Sequence, residues 1–201
     1  MSDKKPEINI NDEREIRLKK LAALREAGVN PYPAKSHKVH SLKAALELDE
    51  GKEVVVAGRI MLKRDMGKIA FCQLQDESGK MQIVFKQDDI GKDNFKLFAK
   101  KIDGADIISV EGERFVTQKG EQSILVKKWT LLSKALLPLP DKFHGLQDEE
   151  LRLRKRYLEM VMDSDVREVF KRKAKFWNSV RGFLVDEGFL EVETPVLETT
   201  A

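Results

Sequence analysis

The side chains with the most chemistry to offer lie between Gly58 and Phe85, in the run GRIMLKRDMGKIAFCQLQDESGKMQIVF. Strand side chains alternate faces with a period of two, so in KIAFCQLQD one face takes Ala70, Cys72 and Leu74, and the other takes Ile69, Phe71, Gln73 and Gln75. In KMQIVFK, Met81, Ile83 and Phe85 form an apolar set, and Gln82 points the other way with Val84 and Lys86. The two strands can then share one core face and one wetter face, with Phe71 on the wetter face near Gln82. Arg59, Lys63 and Arg64 precede them. An exposed phenyl ring beside an amide and cations suits single-stranded nucleic acid: bases stack on the ring, amides meet base edges and cations meet phosphates. Alternation alone also fits Phe71 as a core residue of a barrel covered on both faces, so the surrounding elements must decide.

From Lys52 to Leu132 the pattern is β: VVVAGRIMLKR, KIAFCQLQD, KMQIVFK, a helix at DNFKLFAKK, then ADIISVEGERFV and EQSILVKKWTLL. Turns are expected at Met66–Gly67, Ser78–Gly79 and Lys119–Gly120. Five strands with a helix between the third and fourth is the order of an OB-fold barrel, whose second and third strands carry the usual binding face. Gly58 and Gly112 suit the bulges or sharp coiling of a small closed barrel. Phe71 and Gln82 therefore fall where such a barrel binds its ligand.

Before the barrel, a polar N-terminus leads into an amphipathic helix over Asn11–Ala27. Ile16, Leu21, Leu24 and Ala27 form its stripe, with Leu18 beside it, acids at the start and Gly28 just past the end. Pro31 and Pro33 break the chain, and a short helix over Ser41–Leu48 takes Ser41 as its N-cap. After the barrel, SKALLPLPDKFHG reads as an extended linker. A helix over LQDEELRLRKRYLEMVMD follows, then a longer one over Asp165–Glu187 with Asp165 and Glu168 as an acidic capping pair. Its apolar stripe is Val166, Val169, Phe170, Trp177, Val180 and Leu184, with Gly188 closing it and Phe189–Val192 reading as a short strand.

Composition narrows the classes. Lys and Arg total 37 against 34 Asp and Glu, a net charge of +3, so nucleic-acid affinity must come from local patches. One such patch runs from Arg152 to Lys175, with nine basic residues against four acids; a solvated helix surface reads equally well. The single cysteine, Cys72, forms no intramolecular disulfide and fits a reducing compartment. No run reads as a membrane span or a signal peptide, which points to the cytoplasm. His37, His40 and His144 lack further ligands, so no metal site is expected.

The segment GFLVDEGFLEVETPVL resembles motif 1 of the class II aminoacyl-tRNA synthetases, with Gly188 and the fixed proline, Pro195, of their dimer interface. LPLPDKFHGLQDEELRLRKRYLEM is more specific and resembles the linker of the bacterial-type lysyl-tRNA synthetases; AGRIMLKRDMGKIAFCQLQD and WTLLSKALLPLP agree with the same family. The resemblance begins near Glu13. It implies an N-terminal helical extension over 1–50, an OB-fold anticodon-binding domain over 51–134, a linker over 135–150 and the start of a class II α+β catalytic domain over 151–201.

In that family the OB domain binds the anticodon of tRNA-Lys. The resemblance assigns Phe71 to stacking on the central uridine, Arg64 and Gln82 to hydrogen bonds with anticodon bases, and Glu121, in the KGEQ turn entering the fifth strand, to selecting uridine. A uracil edge offers one N–H between two carbonyls, so a carboxylate can accept from the first while Arg or Gln donates to the others. The full-length family activates lysine with ATP and magnesium, transfers it to tRNA and works as a homodimer. The residues for those steps belong to motifs 2 and 3, which this sequence lacks, so the 201-residue chain is expected to hold no cofactor and to form no adenylate. Two other readings remain: a generic single-stranded nucleic-acid-binding OB-fold, and a dimerisation or scaffold module. A generic binder would tolerate a changed base. A protein contact would resist added salt.

Overall fold

The computed structural model describes residues 10–140 and 148–194, and the chain divides into two compact units, Met1–Leu139 and Pro140–Ala201. In the first, β1 (Glu53–Met66), β2 (Ile69–Gln75), β3 (Lys80–Lys86), β4 (Ile107–Val116) and β5 (Gln122–Ser133) close into a barrel in the order β1-β2-β3-β5-β4. Every neighbouring pair is antiparallel except β3 with β5, which is parallel.

The apolar sets expected from alternation line the interior. Val54, Val56 and Ile60 of β1, Ala70, Cys72 and Leu74 of β2, and Met81, Ile83 and Phe85 of β3 are all buried. Helix α3 (Gln87–Ile90) and α4 (Lys92–Lys101) follow β3, and α4 buries Phe95 and Phe98. Phe98 stacks on Phe85 with ring centroids 3.8 Å apart and meets Trp129 edge-on, which joins α4 to the barrel's core. Burying a phenyl side chain this fully stabilises by about 1.5–3 kcal/mol.

The two strand glycines answer to close approach. A Cβ on Gly112 would lie 2.2 Å from the Leu125 carbonyl oxygen, and one on Gly58 would lie 2.6 Å from that of Gln75. Gly112 borders a register shift between β4 and β5; the β1–β2 irregularity lies at Ile60–Leu62, just past Gly58. The first hairpin turns one residue later than the sequence predicts, at Gly67–Lys68, because Gly67 supplies the positive φ (68°) while Met66 still pairs with Ile69.

Helix α1 (Ile10–Glu26) packs through Arg17, Leu21 and Leu24, so the buried stripe is rotated from the expected one and Ile16 is exposed. Arg17 causes the difference: its guanidinium donates to the Gly104 and Ala135 carbonyls. Beside it, Lys134 lies buried between Asp103 (2.6 Å) and Asp106 (2.7 Å), and Lys20 of α1 also reaches Asp103. Lys134, inside the stretch read from sequence as a linker, is therefore buried just past the end of β5, against the loop that precedes β4. Helix α2 (Leu42–Glu47) is capped by Ser41 as expected. The β2–β3 turn adds a second cap, since the Asp76 carboxylate accepts from Leu42 N–H, Ser78 N–H and Gly79 N–H.

The second unit holds α5 (Glu149–Arg154), α6 (Arg156–Met162) and α7 (Ser164–Asp186). The single helix expected before α7 is broken at Lys155, whose backbone leaves helical dihedrals (φ −113°, ψ 46°). Glu159 accepts from Arg152 and Arg156 on either side of the break. The cap of α7 is Asp163, which accepts from Asp165 N–H at 2.8 Å, in place of the expected Asp165–Glu168 pair. Gly188 closes the helix at φ 86°. Phe189–Val192 forms no ladder among the described residues, since a strand needs a neighbour to pair with. Pro195 and His144 lie outside the described residues.

Candidate nucleic-acid interface

Residues directly opposite each other on neighbouring strands share a face, so the register of β1, β2 and β3 lays three rungs across the outer surface of the barrel. Met66 pairs with Ile69 and Ile69 with Lys86; Arg64 pairs with Phe71 and Phe71 with Val84; Leu62 pairs with Gln73 and Gln73 with Gln82. Together they floor a groove of about 880 Å³. The β4–β5 loop walls it with Thr117, Gln118, Lys119 and Glu121. Arg64, Phe71, Gln82 and Glu121, from four separate stretches of sequence, thus come together in one cavity.

Each position has a local cause. Phe71 is half-buried: Arg64 and Val84 are its cross-strand neighbours on either side, while the barrel core beneath is filled from the opposite face of β2. Gln82 also pairs with Ser123 of β5, and its Nε2 donates to Ser123 Oγ at 2.9 Å. Glu121 is exposed on a loop pinned by Thr117, which donates its N–H to the Glu121 carbonyl and accepts from Glu121 N–H through Oγ1, both at 3.0 Å.

Of the three cations expected around the ring, only Arg64 lines the groove. Arg59 donates to the Ala105 carbonyl. Lys63 alternates to the other side of β1, where its ammonium donates to the Ala99 (2.6 Å) and Ile102 (2.9 Å) carbonyls at the end of α4 and lies 5.1 Å from the Phe98 ring centroid. These two charges serve helix ends and loop carbonyls. Val84 and Gln75, assigned by alternation to the wetter face, are buried.

Phe115 of β4 is a groove residue the sequence reading passed over. It pairs with Ser123 and carries the leucine–glutamine rung round to a second aromatic ring. The signal was available, since Glu111, Glu113 and Phe115 alternate with the buried Gly112 and Arg114. Cys72 faces the core, where burial pushes its thiol up to about 12, so it is protonated and inert at neutral pH.

Residues 54–132 match the family model of the OB-fold nucleic acid binding domain, and residues 148–201 match that of the class II tRNA synthetases (D, K and N). The chain is 45% identical over 195 residues to a lysine–tRNA ligase of Syntrophomonas wolfei, an alignment that covers 96% of this chain and 39% of the relative. The chain is a homologue of the lysine–tRNA ligases. The lysine–tRNA ligase of Carboxydothermus hydrogenoformans is 44% identical over 96% of the chain and 40% of its own length, and that of Magnetococcus marinus 44% over 93% and 39%. The chain thus spans about two fifths of the length of these lysine–tRNA ligases. The floor and wall of the groove fall inside the matched OB-fold region, and α5 to α7 inside the matched class II region.

Proposed function

We propose that the groove on the barrel reads the anticodon loop of tRNA-Lys, and that the chain is the anticodon-binding part, with the start of the catalytic domain, of an enzyme that joins lysine to that tRNA. The observation that carries this reading is the pair of rungs Arg64–Phe71 and Gln73–Gln82 on one open face. The ring offers a stacking platform, the guanidinium a donor for phosphate or a base carbonyl, and the amides donors and acceptors for base edges. Glu121, on the loop above, supplies the acceptor for a uracil N–H. A cytosine there presents a lone pair instead, leaving two acceptors facing each other, which costs about 1–3 kcal/mol.

The proposed domain division is 1–50, 51–134, 135–150 and 151–201, with Gly188 and Pro195 as motif 1 positions of a homodimer interface. ATP and magnesium serve the lysine-activation step of the full-length family. Among the described residues no group of three or more His, Cys, Asp or Glu is placed to hold a metal ion. Also among the described residues, no helix is long and apolar enough to cross a membrane.

The test is titration of the chain with a stem-loop bearing a UUU anticodon and with one altered at the middle base, at near-physiological salt. Preference for the uridine loop, with affinity falling steeply as salt rises, is the expected result. Equal binding of both loops favours a generic single-strand binder, and salt-insensitive behaviour favours a protein-docking face.

A further inference from the structure

The Gln82 amide alone cannot tell uracil from cytosine. Held one way, its Oε1 accepts from uracil N3–H while an Nε2 hydrogen donates to a uracil carbonyl. Turned over, the same amide accepts from the cytosine exocyclic amine and donates to cytosine N3. Discrimination requires that the amide be locked.

The structure contains such a lock. Gln82 Nε2 donates to Ser123 Oγ at 2.9 Å, and Ser123 Oγ donates to the Glu121 backbone carbonyl at 3.2 Å. The direction of this chain is fixed at its far end, because a carbonyl only accepts. The single hydroxyl hydrogen of Ser123 is committed to it, so Ser123 can offer Gln82 only a lone pair. The amide nitrogen must face Ser123, and Oε1 is turned away from it. Ser123 is itself fully buried at the start of β5, paired with Gln82 on one side and Phe115 on the other, so water does not compete for the hydroxyl.

We propose that Ser123 is a positioning residue for specificity: it holds the Gln82 amide in the orientation that accepts a uracil and refuses a cytosine. This rests on the groove being an anticodon reader. It assigns a role to a side chain that touches no base and acts entirely through Gln82.

The experiment measures binding of stem-loops carrying uridine or cytidine at each anticodon position to the native chain, Ser123→Ala, Gln82→Leu and the double variant. The position read by Gln82 is the one whose uridine-to-cytidine preference falls in Gln82→Leu. There Ser123→Ala is expected to lower the preference about tenfold, chiefly by tightening the cytidine loop. In the Gln82→Leu background the serine substitution should change nothing further. A role confined to the fold would weaken both loops equally and leave the ratio intact, which overturns the proposal, as does an undiminished effect of Ser123→Ala without Gln82. A native chain with no uridine preference at any position removes the anticodon reading and this inference together. If Ser123→Ala does not fold, the native chain still decides: a rigid Gln82 side-chain amide by NMR relaxation is expected, and a freely averaging one refutes the lock.

Discussion

Arg64 stands directly across from Phe71 on neighbouring antiparallel strands, and both line the same groove, which puts a cation and a ring at neighbouring positions on one face. The neighbouring Lys63 is turned to the opposite side of β1. Two consecutive basic residues therefore have unrelated jobs, and substitution should separate them.

Lys63→Met should cost about 2 kcal/mol of stability, because three carbonyls near the end of α4 lose a charged donor. Stem-loop affinity measured well below the melting temperature should stay within about twofold of native. Arg64→Met should do the reverse. Denaturant unfolding and binding titrations on both variants check the separation.

The same pair shows how far the sequence could be read. Alternation within β2 and β3 located Phe71, Gln82 and the core set opposite them, because a period of two is a property of the strand itself. Whether Lys63 serves the groove or a helix end depends on where α4 finishes, and α4 lies some 35 residues further on. Arg17 and Lys134 were unreadable for the same reason: each is buried against carbonyls or carboxylates from distant segments, and a charged residue in an isolated window looks solvated. Caps were half legible. Ser41 was found from its local spacing, whereas Asp76, which caps α2 from the β2–β3 turn, belongs to another element altogether.

Breaking the buried cluster should be expensive. Lys134→Met leaves Asp106, fully buried, without its cation, and burial already pushes that carboxyl up from its ordinary range. A loss of about 3–5 kcal/mol is expected. Thermal or denaturant melts measure it, and a loss under about 1 kcal/mol would mean that the cluster contributes nothing net.

Stability should fall in acid through Asp76. Burial would raise this carboxyl, but hydrogen bonds from the Ser78 hydroxyl, Lys38, and the Leu42 and Ser78 N–H groups overcome it and hold the group at about 2. A carboxyl depressed in the folded state stabilises above its unfolded value of about 3.9, and that contribution is lost as pH falls through about 4 toward 2. Solvent screening of this partly exposed group keeps the amount to about 1–2 kcal/mol. Comparing the pH dependence of unfolding for the native chain and Asp76→Asn isolates it, since the variant should lose the corresponding part of the slope in that window.

Phe115→Ala should weaken stem-loop binding by about 1–3 kcal/mol if its ring carries a second base, the usual magnitude for loss of one stacking platform. Isothermal titration with single-nucleotide loop truncations identifies which base is involved. An unchanged affinity would confine the aromatic reading to Phe71.

The most direct test is the affinity of a UUU anticodon stem-loop for the native chain and for Phe71→Ala, at near-physiological salt, with the middle-base variant as control. The expected result is a native preference for the uridine loop, and a loss of about 1–3 kcal/mol in Phe71→Ala with no comparable change in melting temperature. Equal affinity in all three combinations would contradict the account, and would make Phe71 a structural residue on a face that reads no anticodon.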